Sequence, residues 1–471
     1  MHHSTIFPLV NDIHSALNAT RVARIVTPRS AGEISAAVRA AGALGLPVAI
    51  CGGRHAMGGQ QFGEGALLLD MSAMDRVLAF DAVSGLVEVE AGIQWPALID
   101  FLEASSEQPR WGIRQKQTGA DSLSLGGCLS ANVHGRGLRM RPFIDDVAAF
   151  TLIDAQGELK VCTRECDAHL FSLAIGGYGM FGVIVSVTLR LAPRVKMRRD
   201  VSLLSLDDLM TAFDGRIEDG YTFGDFQFAI DPNSDDFLRK GVFSCYLPLD
   251  PATPLDASRE LSPDDWRALL ALAHTDKGTA FEHYSSFYLA SSGQVYWSDR
   301  LQQSTYLDGY HKELDAMLGH CGSEMIGEIY VPRARLVDFM RDAAADFRLH
   351  GVDLIYGTIR LIERDDESFM PWASQGYACV IFNLHTPHTA EGIAATSAAF
   401  RRLIDLAIAR DGSYYLTYSK AATLDQLRAC HPRFDQFLEW KRRLDPHERF
   451  QSNWYRHYRD LVAVSSRELA A

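Results

Sequence analysis

Cys51-Gly-Gly-Arg-His-Ala-Met-Gly-Gly-Gln60 is the stretch whose reading decides the fold. It directly follows Pro47-Val-Ala-Ile-Cys51, an apolar run of strand composition, so glycines gather where a strand ends. Backbone amides there are unobstructed by side chains and can close on anionic oxygens such as those of a phosphate. Upstream the pattern completes a βαβ unit. Arg21 to Val26 reads as a strand closed by Pro28, and Ser30 with Glu33 forms a capping box. Ile34, Val38, Ala41 and Leu44 then recur at helical spacing.

Working outward, strands are expected at Leu67–Met71 and Leu86–Ala91, with a helix over Trp95–Glu103. Residues 117–137, rich in Gly, Ser and Thr, read as a long loop system. A hairpin follows, Val147–Asp154 and Glu158–Cys162, turned at Ala155-Gln156-Gly157. The alternating strand Val183–Leu191 is ended by Pro193. From about 198 to 410 spaced strands, helices and many aromatics read as a second, antiparallel-sheet domain. Helices are expected near Thr423–Cys430 and Phe434–Arg443.

A chain of 471 residues exceeds one core and predicts two or three domains. Its formal charge of -13 argues against non-specific nucleic-acid binding. No apolar run reaches the ~18–20 residues of a membrane span, and Met1 to Leu9 lacks the features of a signal peptide. The eight cysteines form no CxxC pair, which fits reduced thiols in a cytoplasmic protein better than disulfides or zinc. No metal ligand set is read from the spacing.

Two further glycine clusters carry the chemistry. One runs Thr118-Gly-Ala-Asp-Ser-Leu-Ser-Leu-Gly-Gly127 and ends in Ser130 and Asn132-Val-His-Gly135. The other is Gly176-Gly-Tyr-Gly-Met-Phe-Gly182. Neither a Walker loop nor a GxGxxG fingerprint is present. Singly, each cluster reads as a set of turns. Three of them within about 130 residues, each at the end of a regular element, point to one large anionic cofactor.

With these residues in view, 20–195 resembles the FAD-binding domain of the vanillyl-alcohol oxidase and p-cresol methylhydroxylase superfamily. Gly53 to Gln60 resembles the GRGHSxxGQ loop of cytokinin dehydrogenases and the GSGHS loop of alditol oxidases. The His of those loops is bonded to the flavin 8α-methyl, which implies His55 here. Leu125-Gly-Gly-Cys-Leu-Ser130 resembles the VGGTLS stretch that passes the pyrophosphate. Gly176 to Ile184 resembles GGLGQFGIIT, whose backbone near Val183 and Ile184 receives the adenine. Tyr414 to Tyr418 and Leu444 to Ser452 resemble the tail of decaprenylphosphoryl-ribose oxidases and alditol oxidases, and Asn132 to Gly135 resembles the HGK loop of the former. The resemblance therefore implies FAD held by Gly52, Gly53, Arg54, His55, Gly58, Gln60, Thr118, Gly119, Ser122, Ser124, Gly126, Gly127, Ser130, His134, Gly135, Gly177, Gly179, Gly182, Val183, Ile184 and Asn453.

Two departures stand out. Ala56 follows His55 where the covalent loops often carry Ser, and the ribose oxidases have Tyr in place of His55 and hold FAD without a bond. His55 thus has two readings, a covalent link or a contact. Tyr356 to Asp366 resembles the ExR strand of alditol oxidases. Arg360 keeps its place there, but Thr358 stands where Glu is expected, which counts against a polyol. Tyr418 matches the position of a catalytic-site Lys in the ribose oxidases. Its alternative is a packed core tyrosine, as a surface ion pair is for Arg360. His134, Asn383 and His385 are further pocket candidates.

The implied fold is α+β: a two-subdomain FAD-binding domain (PCMH-type) at 15–198, an antiparallel-sheet substrate (cap) domain at 199–410, and a segment 411–471 returning to the flavin. The implied reaction is oxidation of a CH–OH or CH–NH group of a small-molecule substrate, with hydride transfer to flavin N5 and an electron acceptor, dioxygen or another. Tyr418 or a neighbouring His would take the proton while Arg360 holds the oxygen. A sugar-lipid 2'-oxidase and a non-catalytic flavin scaffold are the other two readings.

Overall fold

Ser30 accepts a hydrogen bond from the Glu33 amide at 3.3 Å and starts the helix Ala31–Ala43. The Glu33 carboxylate, however, accepts from the Arg29 N–H at 2.8 Å, so only half of the expected capping box forms. The apolar face of this helix, Ile34, Val38 and Ala41, packs with Val48, Leu67 and Leu69. Those residues belong to a parallel sheet ordered Arg24–Val26, Leu67–Asp70, Val48–Cys51, with the βαβ unit's two outer strands separated by the third. The structure, a computed structural model, describes residues 7–105, 110–255, 259–305, 307 and 309–468, the last four as backbone. Met1–Ile6 of the N-terminal stretch read above lie outside these.

The tail of the chain completes that small sheet. The Val48 N–H donates to Arg449 O at 2.6 Å and the Gln451 N–H to Val48 O at 2.9 Å, a parallel bridge centred on Phe450. Phe450 is fully buried in the same core. Asp445 holds the bend before it, accepting from the amides of Arg449 and Phe450 at 2.8 Å while pairing with the buried Lys441 ammonium.

A second sheet is antiparallel, in the order Leu159–Cys162, Val147–Ile153, Val183–Arg190, Leu86–Glu90, Val77–Asp81. Its core takes in Leu125, Cys128 and Leu129. These sit on the short helix Leu125–Ala131, inside the stretch that composition reads as loop. Tertiary packing overrides the low helix propensity of Gly and Ser there, and Asn132 in the left-handed conformation (φ 48) ends the helix.

The third and largest sheet has eight antiparallel strands in the order Val295–Trp297, Lys196–Ser205, Lys240–Pro248, Phe223–Phe228, Leu354–Ile362, Tyr377–Pro387, Gly322–Pro332, Ser413–Tyr414. Strand alternation sorts its residues. Phe226, Ile359, Leu361, Val380 and Phe382 enter a core shared with helices Leu336–His350 and Ala390–Ile408. Asp225, Gln227, Tyr356, Arg360, Ile381 and Asn383 line a cavity. Tyr418 lies at the end of a turn that follows Ser413–Tyr414. Among the described residues no helix is long and apolar enough to cross a membrane.

Candidate functional site

A cavity of about 410 Å³ opens where the ends of the two smaller sheets meet the large one. Gly52, Gly53, Arg54, His55 and Gln60 line it from the first loop. Thr118, Gly119, Ser124, Gly126, Gly127 and Ser130 line it from the second cluster, Gly179, Gly182 and Ile184 from the third, and Tyr418 from the tail. The loops fit together closely. A β-carbon on Gly53 would lie 2.3 Å from the Ser122 carbonyl oxygen, so nothing but hydrogen fits between the first two loops. Arg54 takes a left-handed φ of 60 and is held there by an ion pair to Asp70 at 2.6 Å.

The other expected cofactor residues stand behind this wall. The Gly58 N–H donates to Thr417 O at 3.1 Å, and Asn453 accepts from the Glu64 N–H at 3.0 Å and donates to Thr20 at 2.9 Å, so both tie the tail to the first loop. The Gly135 N–H donates to Gln115 at 3.2 Å, and Gly177 closes a turn onto Ala174 O at 3.1 Å. Val183 is a core strand residue. His134 is fully buried with Nε2 2.6 Å from Glu328 Oε1, and its ring packs on Trp372; it does not line the cavity.

His55 does face the cavity. Its Nε2 is 2.8 Å from Ser122 Oγ and its Nδ1 2.7 Å from His14 Nε2. His14, which sequence reasoning missed, also lines the cavity, and no local motif marks it. Burial, then the neighbouring His14, pushes the His55 imidazole from its ordinary 6.5 down to about 3. Burial likewise pushes His14 down to about 4, against the opposing pull of Asp12. Burial thus favours the neutral imidazole of His55 at physiological pH, with both ring nitrogens engaged by Ser122 and His14.

A pH signature follows. Between pH 6.5 and about 3 the unfolded chain holds a proton on residue 55 that the folded chain lacks. The stability of the neutral form is complete above 6.5 and is lost on acidification through that window, by up to about 1.4 kcal/mol per pH unit. Melting temperature against pH should therefore fall less steeply in His55→Gln than in wild type below pH 6.5. Equal slopes would show that His55 accepts a proton in the fold.

Beside this space lies a second cavity of about 880 Å³, sharing Gln117, Thr118, Tyr310, Glu324, Asn383 and Tyr418 as wall. Arg360 lines it, 5% exposed, and its Nε and Nη1 hydrogen-bond to nothing among the described residues. Nor does Arg360 make an ion pair among them; the nearby Asp225 is paired to Arg136 at 3.2 Å. Asn383 Oδ1, Gln227 Oε1 and Thr358 Oγ1 are likewise buried and unbonded. The Tyr418 hydroxyl accepts from Gln117 Nε2 at 3.0 Å. Burial, reinforced by Glu328, holds that phenol well above its ordinary range, and the opposing Arg360 does not prevail. A phenol held this high stays protonated, which does not suit the proton-accepting part that the sequence reading gives Tyr418. His385, the other strand candidate, is turned to Glu324 at 3.2 Å.

Residues 22–163 match the FAD binding domain family. They form an FAD-binding domain of the PCMH type. Among curated relatives, an uncharacterized oxidoreductase of the fasciation locus of Rhodococcoides fascians is 29% identical over 202 residues, 41% of this chain and 44% of that protein. Cytokinin dehydrogenase 4 of rice is 29% identical over 196 residues, 39% of this chain and 36% of its own. An L-gulono-1,4-lactone dehydrogenase of Mycobacterium tuberculosis is 24% identical over 444 residues, 92% of this chain and 95% of its own. The chain thus spans less than half the length of the first two. The cavity has polar groups that fit such a cofactor: the buried Thr118 Oγ1, Gln60 Oε1, Gln61 Oε1 and Gln117 Oε1 line it without a hydrogen-bond partner among the described residues. A donor hydroxyl and three amide acceptors match a ligand that presents both phosphate oxygens and ring N–H groups.

Proposed function

We propose that the protein is an FAD-dependent oxidoreductase that oxidises a CH–OH or CH–NH group of a small organic molecule bearing a carboxylate or similar oxyanion. The observation that carries the substrate class is Arg360. A guanidinium this buried is ordinarily paired, and the atoms it leaves unbonded border a cavity next to the FAD-binding loops. In this reading residues 15–198 hold FAD in two subdomains, 199–410 form the substrate (cap) domain, and 411–471 bring Tyr418 back to the flavin.

When bound, FAD supplies the hydride acceptor. The chain's own residues position the substrate. Arg360 pairs with the oxyanion, Asn383 accepts from the hydroxyl or amine, whose proton leaves to solvent as the hydride departs, and the Tyr418 O–H donates to the oxygen at the reacting carbon. Tyr284, Tyr288, Trp266 and Tyr356 wall the larger cavity and keep water from the reacting centre. Anaerobic bleaching of the flavin by hydroxy and amino acids, set against their neutral esters, tests this. Faster bleaching by the esters would remove the oxyanion from the proposal.

His55 carries the flavin covalently in this reading, since it is neutral and faces the cavity. One of its nitrogens must then exchange its present partner, His14 or Ser122, for the bond. Acid- or detergent-denatured protein should keep flavin fluorescence on the polypeptide, and His55→Ala should lose it. Flavin that leaves wild type freely in acid would make His55 a contact only.

Tyr418→Phe should slow flavin reduction about 10²–10³-fold, the usual effect of removing one preorganised donor, with FAD content unchanged. A wild-type rate in this variant would make Tyr418 a packing residue.

A further inference from the structure

Strand pairing and one helix end bring three metal-ligating side chains together at the border of the two cavities. Glu324 and His385 stand directly opposite each other on strands Gly322–Pro332 and Tyr377–Pro387. The last turn of helix Pro263–Thr275 adds His274. His274 Nε2 and His385 Nδ1 each lie 3.2 Å from the same carboxylate oxygen, Glu324 Oε1. The three side chains are 2%, 7% and 6% exposed for His274, Glu324 and His385.

The spacing fits a metal site as well as it fits the His385–Glu324 hydrogen bond. Zinc–donor bonds of about 2.0–2.1 Å in a tetrahedron put neighbouring donors about 3.3 Å apart, which the two 3.2 Å separations match. His274 Nε2 is buried and aimed at that carboxylate oxygen from 3.2 Å. The outer partners suit ligands as well. His385 turns its second nitrogen to His320 Nε2 at 2.9 Å, and the second Glu324 oxygen accepts from the Tyr310 hydroxyl at 3.1 Å. Such groups fix ligand orientation.

We propose that His274, Glu324 and His385 bind a divalent transition-metal ion of the zinc class, in a three-ligand site with an open position. Glu324 lines both cavities, so the open position is within reach of the space they share and takes water or one oxygen of an organic ligand. Imidazole and carboxylate donors select such an ion over calcium or magnesium.

The test uses the FAD-loaded full chain carrying no affinity-tag histidines. It is stripped with a chelator, titrated with Zn²⁺ or Co²⁺, and read by elemental analysis and by the cobalt absorption beyond the flavin bands. Wild type should retain one ion per chain and give the intense bands of low-coordinate Co²⁺. Glu324→Gln and His274→Ala should each weaken binding at least about 100-fold, and His320→Ala, at the outer shell, about 10–100-fold. The exposed His350→Ala should change nothing. FAD content reports folding in every variant, and the wild-type cobalt spectrum decides the matter should a variant not fold. Wild type that retains no ion, or a His274→Ala/His385→Ala double variant with wild-type affinity, would overturn the proposal. Neither readout involves turnover, so the site stands or falls apart from the proposed oxidation.

Discussion

Arg360→Met is expected to give a protein that melts higher than wild type and hardly turns over its substrate. The two effects have one cause. In the free protein the guanidinium is buried with Nε and Nη1 unbonded, and no carboxylate among the described residues pairs with it. A methionine of similar length fills the space without that charge and should stabilise by about 1–4 kcal/mol, a few degrees in melting temperature. With an anionic substrate the same change strands a carboxylate against an apolar wall. Truncating one partner of a buried charge pair costs about 2–5 kcal/mol, or about 30- to 5000-fold in kcat/KM. A neutral ester of the substrate should lose far less. Lower melting with undiminished kcat/KM would mean that the guanidinium serves the fold and meets no substrate.

Gly53→Ala is expected to fold and yet emerge nearly colourless, with FAD affinity reduced at least about 100-fold. The new methyl carbon would sit 2.3 Å from the Ser122 carbonyl oxygen, a backbone atom that no rotamer change can move aside. The first two loops must part, and both line the FAD cavity. Ser122 also holds His55 Nε2, so the imidazole loses its anchor in the same movement. The flavin-to-protein absorbance ratio after reconstitution is the measurement. A full complement of FAD in a protein with wild-type melting would show that the loops separate at little cost.

Local chemistry explains what could be read without coordinates. A glycine cluster after a strand is a short-range signal, and the first loop lines the cavity with Cys51 to Ala56 and Gln60, His55 among them. The same holds for the hairpin at 155–157, where a turn and two alternating runs are contiguous. Signals that depend on pairing were invisible. His14 meets His55 across 41 positions of sequence, and Glu324 meets His385 only because two strands align in one register. Composition also misled. Gly126 and Gly127 point to loop, but Leu125 and Leu129 anchor a helical turn in the core beneath them. His134 lies in a stretch that resembles a flavin loop, yet the buried Glu328 draws it into the large sheet. Tyr418 lines the cavity from a turn in the tail. Its acid–base character depends on burial, which no single residue announces.

The bridge between Val48 and Phe450 sets an order of events during synthesis. The ribosome delivers the strands Arg24–Val26, Val48–Cys51 and Leu67–Asp70 early, but the backbone groups of Val48 wait for Arg449 and Gln451. Until that late segment emerges, the edge of the small sheet is unpaired and the apolar surface under Phe450 is open. Tyr418 and Thr417, which close the cavity, arrive almost as late. The small sheet and the cavity wall therefore stay unfinished until the segment around Phe450 has been made and has docked on Val48.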